Sequence, residues 1–287
     1  MKGLKQKCFL GFALLSLTFA TFFYSLPLKG HIPVLMYHFI VPKDQAGATS
    51  LLLSVNDFHS QMWFLKTFGF RTISLDEFYA IKTGQTRARG RELVITFDDG
   101  DRSFIEQALP ILERYKIQSV NFVIWNYVSQ KKFKSMNLED VERLSRHPLV
   151  TIGSHTLTHA ALSEVSPEQA RFEIVKSKEE LENALNKKIY YFCYPIGSFN
   201  NEVMRFVEKV GYRLAFTTAR KHLNGYPETL YSIVRIKVHP KHNLFIFWLN
   251  VSGIIYYANR IDDFFHQLTG HKVNDKLNVY EPAYKAT

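Results

Sequence analysis

Cysteine is almost absent from this chain: Cys8 and Cys193 are its only two thiols in 287 residues. So few thiols exclude a disulfide-stapled scaffold, and Cys8 sits in an N-terminal apolar run, where a bridge to Cys193 is not expected. Also missing are internal repeats, low-complexity segments and any nucleotide-type glycine fingerprint. Acidic residues are outnumbered, 26 against 36 Lys and Arg, for a formal charge of +10. That excess favours anionic surfaces such as membranes or acidic polymers and carries no information about fold. Its densest stretch, Lys82 to Arg91, has no aromatic residues alternating with the charges. It therefore reads as a solvated loop rather than a nucleic-acid stacking surface, and no nucleic-acid partner is expected. What is plentiful is apolar material, 46% hydrophobic and 15% aromatic, enough for a packed core.

The first thirty residues stand apart. Lys2, Lys5 and Lys7 precede an uncharged apolar run from Cys8 to Leu28. A run of about twenty residues matches a bilayer core and exceeds the usual apolar region of a signal peptide. The expectation is a single-pass anchor over 1–30 with the remainder outside the cytoplasm, a cleaved signal and secretion being the alternative. A main domain over 31–243 follows, then a tail over 244–287. The tail opens with the apolar segment Leu244–Tyr257, short for a span and interrupted by Asn250 and Gly253, which suits a packed or membrane-surface helix.

Short apolar runs and amphipathic stretches alternate past Gly30. The strand candidates are Pro33–His38, Leu93–Phe97, Ser119–Trp125, Val150–Gly153, Ile189–Tyr194, Arg213–Thr217 and Ile233–Val238. Several are β-branched or aromatic-rich and apolar on both faces, which suits parallel strands covered on both sides. Helices are expected after Asp57, taken as a cap, and after the capping box Ser166-Pro167-Glu168-Gln169, with Glu173, Lys178 and Glu182 on its charged side. A third runs from Asn201 to Val210 and ends at Gly211. Strand–helix alternation with about seven strands predicts an α/β fold closed into a barrel, whose chemistry gathers at the carboxyl ends of the strands.

Two of those ends are chemically loaded. Strand Leu93–Phe97 runs directly into Asp98-Asp99-Gly100, and Val150–Gly153 runs into Ser154-His155-Thr-Leu-Thr-His159. Asp-Asp-Gly is ordinary turn chemistry, but adjacent buried carboxylates repel unless a positive charge lies between them. The histidines are four apart, so one helical turn would aim both the same way. Together the two tips offer two imidazoles and a carboxylate for one divalent ion, with positions left for water. The other aspartate is then placed to accept a proton from water that the ion has acidified.

The pairing of Thr96-Phe-Asp-Asp-Gly100 with Ser154-His-Thr-Leu-Thr-His159 resembles the first two motifs of the NodB-type polysaccharide deacetylases. The likeness runs from about Ile32 to His239. The segments Pro33-Val-Leu-Met-Tyr-His38 and Phe58 to Leu75 are similar to the extracellular, often membrane-anchored branch that acts on N-acetylglucosamine polymers. The resemblance implies a distorted (β/α) barrel and a divalent metal, zinc first and cobalt or nickel as alternatives. It implies Asp98 as the base and Asp99, His155 and His159 as metal ligands. Many relatives place an arginine in a third motif to pair with the catalytic aspartate; here that segment reads Phe192-Cys-Tyr-Pro-Ile-Gly197, with Cys193 at the arginine position. Arg235 is the candidate replacement. Tyr194 and Pro195 are expected to line the substrate groove, with a backbone N–H beside Tyr194 facing the oxyanion. The general acid is His38 or, alternatively, His239.

These expectations describe a metal-dependent hydrolase that removes N-acetyl groups from an extracellular, biofilm-type N-acetylglucosamine polymer. Peptidoglycan or chitin oligomers are alternative substrates, and a catalytically silent glycan-binding barrel is the alternative of another class. A polysaccharide synthase is a further candidate partner.

Overall fold

A computed structural model describes residues 31–218 and 228–254. The expected anchor over 1–30 and the tail beyond 254 lie outside the described residues. Among the described residues no helix is long and apolar enough to cross a membrane.

The strands, in chain order, are β1 (Val34–Tyr37), β2 (Phe39–Val41), β3 (Leu52–Ser54), β4 (Arg71–Thr72), β5 (Glu92–Phe97), β6 (Ser119–Val123), β7 (Val150–Ser154), β8 (Tyr191–Cys193), β9 (Leu214–Thr217), β10 (Ile233–Val234) and β11 (Ile236–Lys237). Their helices are α1 (Val55–Thr67), α2 (Leu75–Lys82), α3 (Leu109–Tyr115), α4 (Trp125–Gln130), α5 (Leu138–Ser145), α6 (Pro167–Leu185), α7 (Asn201–Lys209) and α8 (Leu244–Val251). The main sheet runs β10-β9-β8-β7-β6-β5-β1-β11, with β4 paired on β5. Every pairing along that path is parallel.

The two edges of this sheet belong to one segment. The expected strand Ile233–Val238 is split at Arg235: Ile233 and Val234 pair with β9, while Ile236 and Lys237 pair with β1. A single residue thus steps from one edge to the other, so the sheet forms a nearly closed, distorted (β/α) barrel of eight strands rather than an open sheet. The expected seventh strand counts twice because it serves both edges. The two loaded tips, those of β5 and β7, are separated along the sheet only by β6, and closure brings the Arg235 seam to the same rim.

Alternation along the strands separates two apolar layers. Val34, Val94, Val120, Phe122, Leu214, Phe216 and Ile233 form one buried cluster, with Phe122 and Phe216 rings 5.4 Å apart. Residues of the opposite parity, including Leu35, Ile95, Phe97 and Phe192, join the helices in the larger cluster. Each fully buried phenylalanine contributes about 1.5–3 kcal/mol relative to exposure. Gly153 is required where β7 crosses this interior: a Cβ there would stand 2.5 Å from the Phe122 ring.

The helix starts refine the sequence reading. α1 is capped by Ser54, whose hydroxyl accepts the Asp57 amide, so Asp57 is a first-turn residue and not the cap. At α6 Ser166 accepts the Gln169 amide, but the Gln169 side chain reaches Glu173 instead of closing the box. α7 matches its expected span, with Asn200 capping and Gly211 at φ 89° beyond its end. The apolar segment opening at Leu244 forms α8, which buries Phe247, Trp248 and Val251 in the main cluster and sets Phe247 edge-on to Phe64 of α1. This helix is therefore continuous with the body assigned to 31–243.

Candidate active site

β5, β7, β8 and the β10–β11 seam all end at the same rim. Val94, Thr96 and Asp98 share the inward parity of β5, so the first aspartate of the pair follows the strand into the barrel. Asp99 then has φ 70°, a left-handed conformation that turns its side chain back over the rim. Gly100, also left-handed at φ 71°, completes the turn.

Asp98 is 2% exposed and held by a two-toothed ion pair. Arg235 donates from Nη1 to Oδ1 at 2.7 Å and from Nη2 to Oδ2 at 2.6 Å. Arg235 is itself fully buried, and it also donates from Nη1 to Thr96 Oγ1 and from Nε to the Thr217 carbonyl. Burial alone would push the Asp98 carboxyl up. The Arg235 charge and its hydrogen bonds outweigh this and hold Asp98 well below the usual carboxylate range, with His155 and His38 adding to the pull. Cys193, at the position where the resemblance expects an arginine, sits 3.9 Å from Asp98 with its thiol pushed up by burial. The guanidinium thus arrives from the barrel seam and not from β8.

The second aspartate faces the histidines. Asp99 Oδ1 lies 3.6 Å from His155 Nε2 and 3.5 Å from His159 Nε2. His155 donates from Nδ1 to the Cys193 carbonyl at 2.8 Å, which leaves Nε2 unprotonated and directed at Asp99. Burial lowers His155 to about 3 and lowers His159 as well, so both imidazoles are neutral near pH 7. Burial, then the charges of Asp98 and Asp101, raises Asp99 to about 7. Asp99 Oδ1 is buried without a hydrogen-bond partner. One oxygen and two nitrogens, all within 4.8 Å of one another, make the donor set a divalent ion such as zinc takes. The residues fit such an ion.

One expectation about this loop fails. Residues 155–159 form no helical turn; Thr156 and His159 both have positive φ, 69° and 71°. The imidazoles converge because an irregular loop is pinned, not because of helical periodicity. Its pin is Glu173, on what the sequence pattern marks as the charged side of α6. Glu173 is 1% exposed. Its Oε2 accepts the amides of Leu157 and Thr158, and its Oε1 accepts the Thr158 hydroxyl at 2.7 Å. Thr156 Oγ1 accepts the His159 amide. A glutamate on an otherwise polar helix gives no sequence signal for this role.

His38, at the end of β1, places Nε2 3.8 Å from Asp98 Oδ2, and burial lowers it to about 4. His239 packs against the His242 ring, and its Nδ1 accepts the Lys241 amide. Of the two candidates His38 is the one set beside Asp98. Tyr194 and Pro195 do not line an open groove. Both are buried, and the Tyr194 ring is stacked on Phe199 with its hydroxyl donating to the Tyr231 carbonyl. The Tyr194 amide donates to Phe216 O and Pro195 has no N–H, so neither supplies the expected oxyanion donor. The exposed residue of that turn is Ile196, 40% exposed at φ 49°.

Residues 85–215 match the family model described as Polysaccharide deacetylase. The poly-beta-1,6-N-acetyl-D-glucosamine N-deacetylase of Staphylococcus epidermidis is 27% identical over 232 residues, covering 73% of this chain and 80% of that protein. Among solved structures, the Streptococcus pyogenes deacetylase PplD in complex with acetate aligns with TM-score 0.69 and 25% identity, over 78% of this chain and 99% of that one. IcaB from Ammonifex degensii aligns with TM-score 0.64 and 25% identity, over 77% and 95%. With its barrel and the carboxylate–histidine rim, the chain carries a polysaccharide deacetylase domain over residues 85–215 and is similar throughout the barrel to solved deacetylases.

Proposed function

We propose that this protein removes N-acetyl groups from a poly-N-acetylglucosamine-type polymer outside the cytoplasm, using a divalent ion, zinc first, held by Asp99, His155 and His159. The observation that carries the reading is the division of the adjacent aspartates. Asp98 is locked ionised by Arg235, while Asp99 is turned towards two neutral imidazoles. The similarity to the staphylococcal enzyme supports the polymer class. The charged, then apolar, N-terminal run supports the location.

A bound ion supplies Lewis acidity, polarising the amide carbonyl and acidifying water. Asp98 takes the proton of the attacking water as its oxygen bonds to the carbonyl carbon. Arg235 keeps that carboxylate oriented and charged until the proton arrives. His38 Nε2, 3.8 Å from Asp98 Oδ2, is neutral beforehand and stands where the proton can pass onward. Once protonated it donates to the departing nitrogen as the carbon–nitrogen bond breaks, leaving acetate and a glucosamine amine. Asp98 and His38 so divide base and acid between a group held below its usual range and one that gains its charge in turnover.

The test is acetate release from poly-β-1,6-N-acetylglucosamine, peptidoglycan and chitin oligomers by full-length protein. Release from the first polymer that stops with a chelator and returns with zinc is expected. Release from peptidoglycan or chitin alone would move the substrate assignment, and no release from any N-acetylated glycan would leave a binding barrel.

A further inference from the structure

One part of the rim has no role in the chemistry above. The segment from Trp125 to Met136 is fastened to both motif loops. At its start Trp125 and Asn126 donate to the carbonyls of Thr156 and Leu157, in the loop of His155 and His159. At its end Met136 donates to the Gly100 carbonyl, Lys134 accepts the Arg102 amide, and Ser135 forms a bridge with Asp101. Between these anchors the chain reads Lys131-Lys132-Phe133-Lys134, and all four residues are exposed.

Phe133 is 82% exposed, the most exposed of the large hydrophobic side chains among the described residues. Its φ is 54° and that of Lys131 is 52°, left-handed values that are strained for residues with a Cβ. Strain of this kind persists only where the surroundings impose it. Here the Lys132 amide and the Ser135 hydroxyl both bond the Tyr127 carbonyl, and the Phe133 ring lies 4.9 Å from that of Tyr127. The result is an exposed apolar platform on a segment fastened to both motif loops, ringed by lysines that form no ion pair among the described residues. Ile196 is exposed on the other flank of the histidine loop, beyond β8.

We infer that this loop is a glycan subsite that distinguishes acetylated from deacetylated sugar. Phe133, backed by Tyr127, offers an apolar face to a neutral N-acetylglucosamine unit, while Lys131, Lys132 and Lys134 repel a protonated glucosamine at the same place. The inference rests on the proposed substrate class and adds to it a rule for where along the polymer the enzyme works. A unit just converted to amine is disfavoured beside the site, so the strand moves on and deacetylation is spaced rather than contiguous. Like charges brought together across an interface act more on specificity than on gross affinity, and salt screens them when exposed.

The experiment reads binding without turnover. Zinc-loaded, full-length Asp98→Asn protein is titrated calorimetrically at pH 6 with a β-1,6-linked N-acetylglucosamine hexamer and with the fully deacetylated hexamer, at low and high salt. The acetylated hexamer is expected to bind about tenfold tighter at low salt, with the ratio shrinking towards unity as salt screens the lysines. The triple variant Lys131→Gln, Lys132→Gln, Lys134→Gln should lose that preference by binding the amine form better, and Phe133→Ala should weaken the acetylated form about fivefold. All four side chains are exposed, so unchanged thermal unfolding checks that the variants fold. Equal binding of both hexamers, no binding of either, or a preference untouched by the substitutions overturns the inference. So would capture of the loop by anionic lipid vesicles, lost on Phe133→Ala, with hexamer binding unaffected. Failure of wild-type protein to release acetate would sink the functional reading and leave the binding preference standing; an active enzyme indifferent to these substitutions would do the reverse.

Discussion

Replacing Arg235 by methionine should be the most damaging single change to the barrel that leaves the ligand triad chemically intact. The guanidinium is fully buried, makes both of its short bonds to Asp98, and sits at the one residue where the sheet closes. Methionine fills most of the volume but strands a buried carboxylate. Breaking a buried pair in this way costs about 3–5 kcal/mol. In a domain of this size that corresponds to a fall of roughly 6–20 °C in unfolding temperature. The double variant Arg235→Met, Asp98→Asn removes the stranded charge and should recover most of the loss, so the two substitutions are strongly non-additive. The sign of the pH effect follows from Asp98. Its folded pKa lies below the unfolded value, so the pair contributes stability above about pH 4 that is lost as pH falls. Circular dichroism melting at pH 7 of wild type, both single variants and the double variant completes the cycle. In the single Arg235 variant burial would dominate Asp98, so the acid limb of its residual kcat/KM profile should move to higher pH. A loss under about 1 kcal/mol, or a double variant no more stable than Arg235→Met, would refute the claim that the arginine exists to hold Asp98 ionised.

Glu173→Ala should weaken zinc binding roughly 10–100-fold, with Glu173→Gln intermediate, because only the pin of the His159 loop is removed; competition against a chromogenic chelator reads this without turnover. Unchanged affinity would make Glu173 merely structural. Asp99 has a folded pKa raised to about 7, so in metal-stripped protein its contribution to stability is complete below its unfolded value and is lost as pH rises towards 7. The advantage of Asp99→Asn over stripped wild type in melting experiments should therefore grow from pH 4 to pH 7 and then level off; an advantage independent of pH contradicts it. Gly153→Ala places a methyl 2.5 Å from the Phe122 ring and should cost about 1–3 kcal/mol in denaturant titrations, whereas a neutral effect would show that the interior of β7 can give.

Much of this architecture was legible as pattern. β5, β6, β7 and β9 are short, mostly apolar runs bounded by polar residues, and such runs announce parallel strands and their tips without help from the rest of the chain. The two tips carry their chemistry in adjacent residues, so Asp98, Asp99, His155 and His159 could be grouped before any coordinates. What stayed hidden depends on contacts distant in sequence. Strand Ile233–Val238 reads as one unit because nothing in its residues reveals that Arg235 is where the two sheet edges change over. Glu173 reads as solvated because a buried carboxylate on a charged helix is visible only once the amides of Leu157 and Thr158 are brought to it. Tyr194, which the resemblance places in the groove, belongs with Phe192 to the helix-side cluster, where Phe199 stacks on its ring and the Tyr231 carbonyl takes its hydroxyl.

The central claim is that the tips of β5 and β7 meet around one cation. The most direct measurement is a crystal structure of zinc-soaked protein with anomalous diffraction recorded on both sides of the zinc absorption edge. The account predicts a single strong peak within about 2.0–2.2 Å of an Asp99 oxygen and of Nε2 of His155 and His159, with Asp98 still on Arg235. A peak elsewhere, or imidazoles rotated away from Asp99 in protein shown to be zinc-replete, would contradict it.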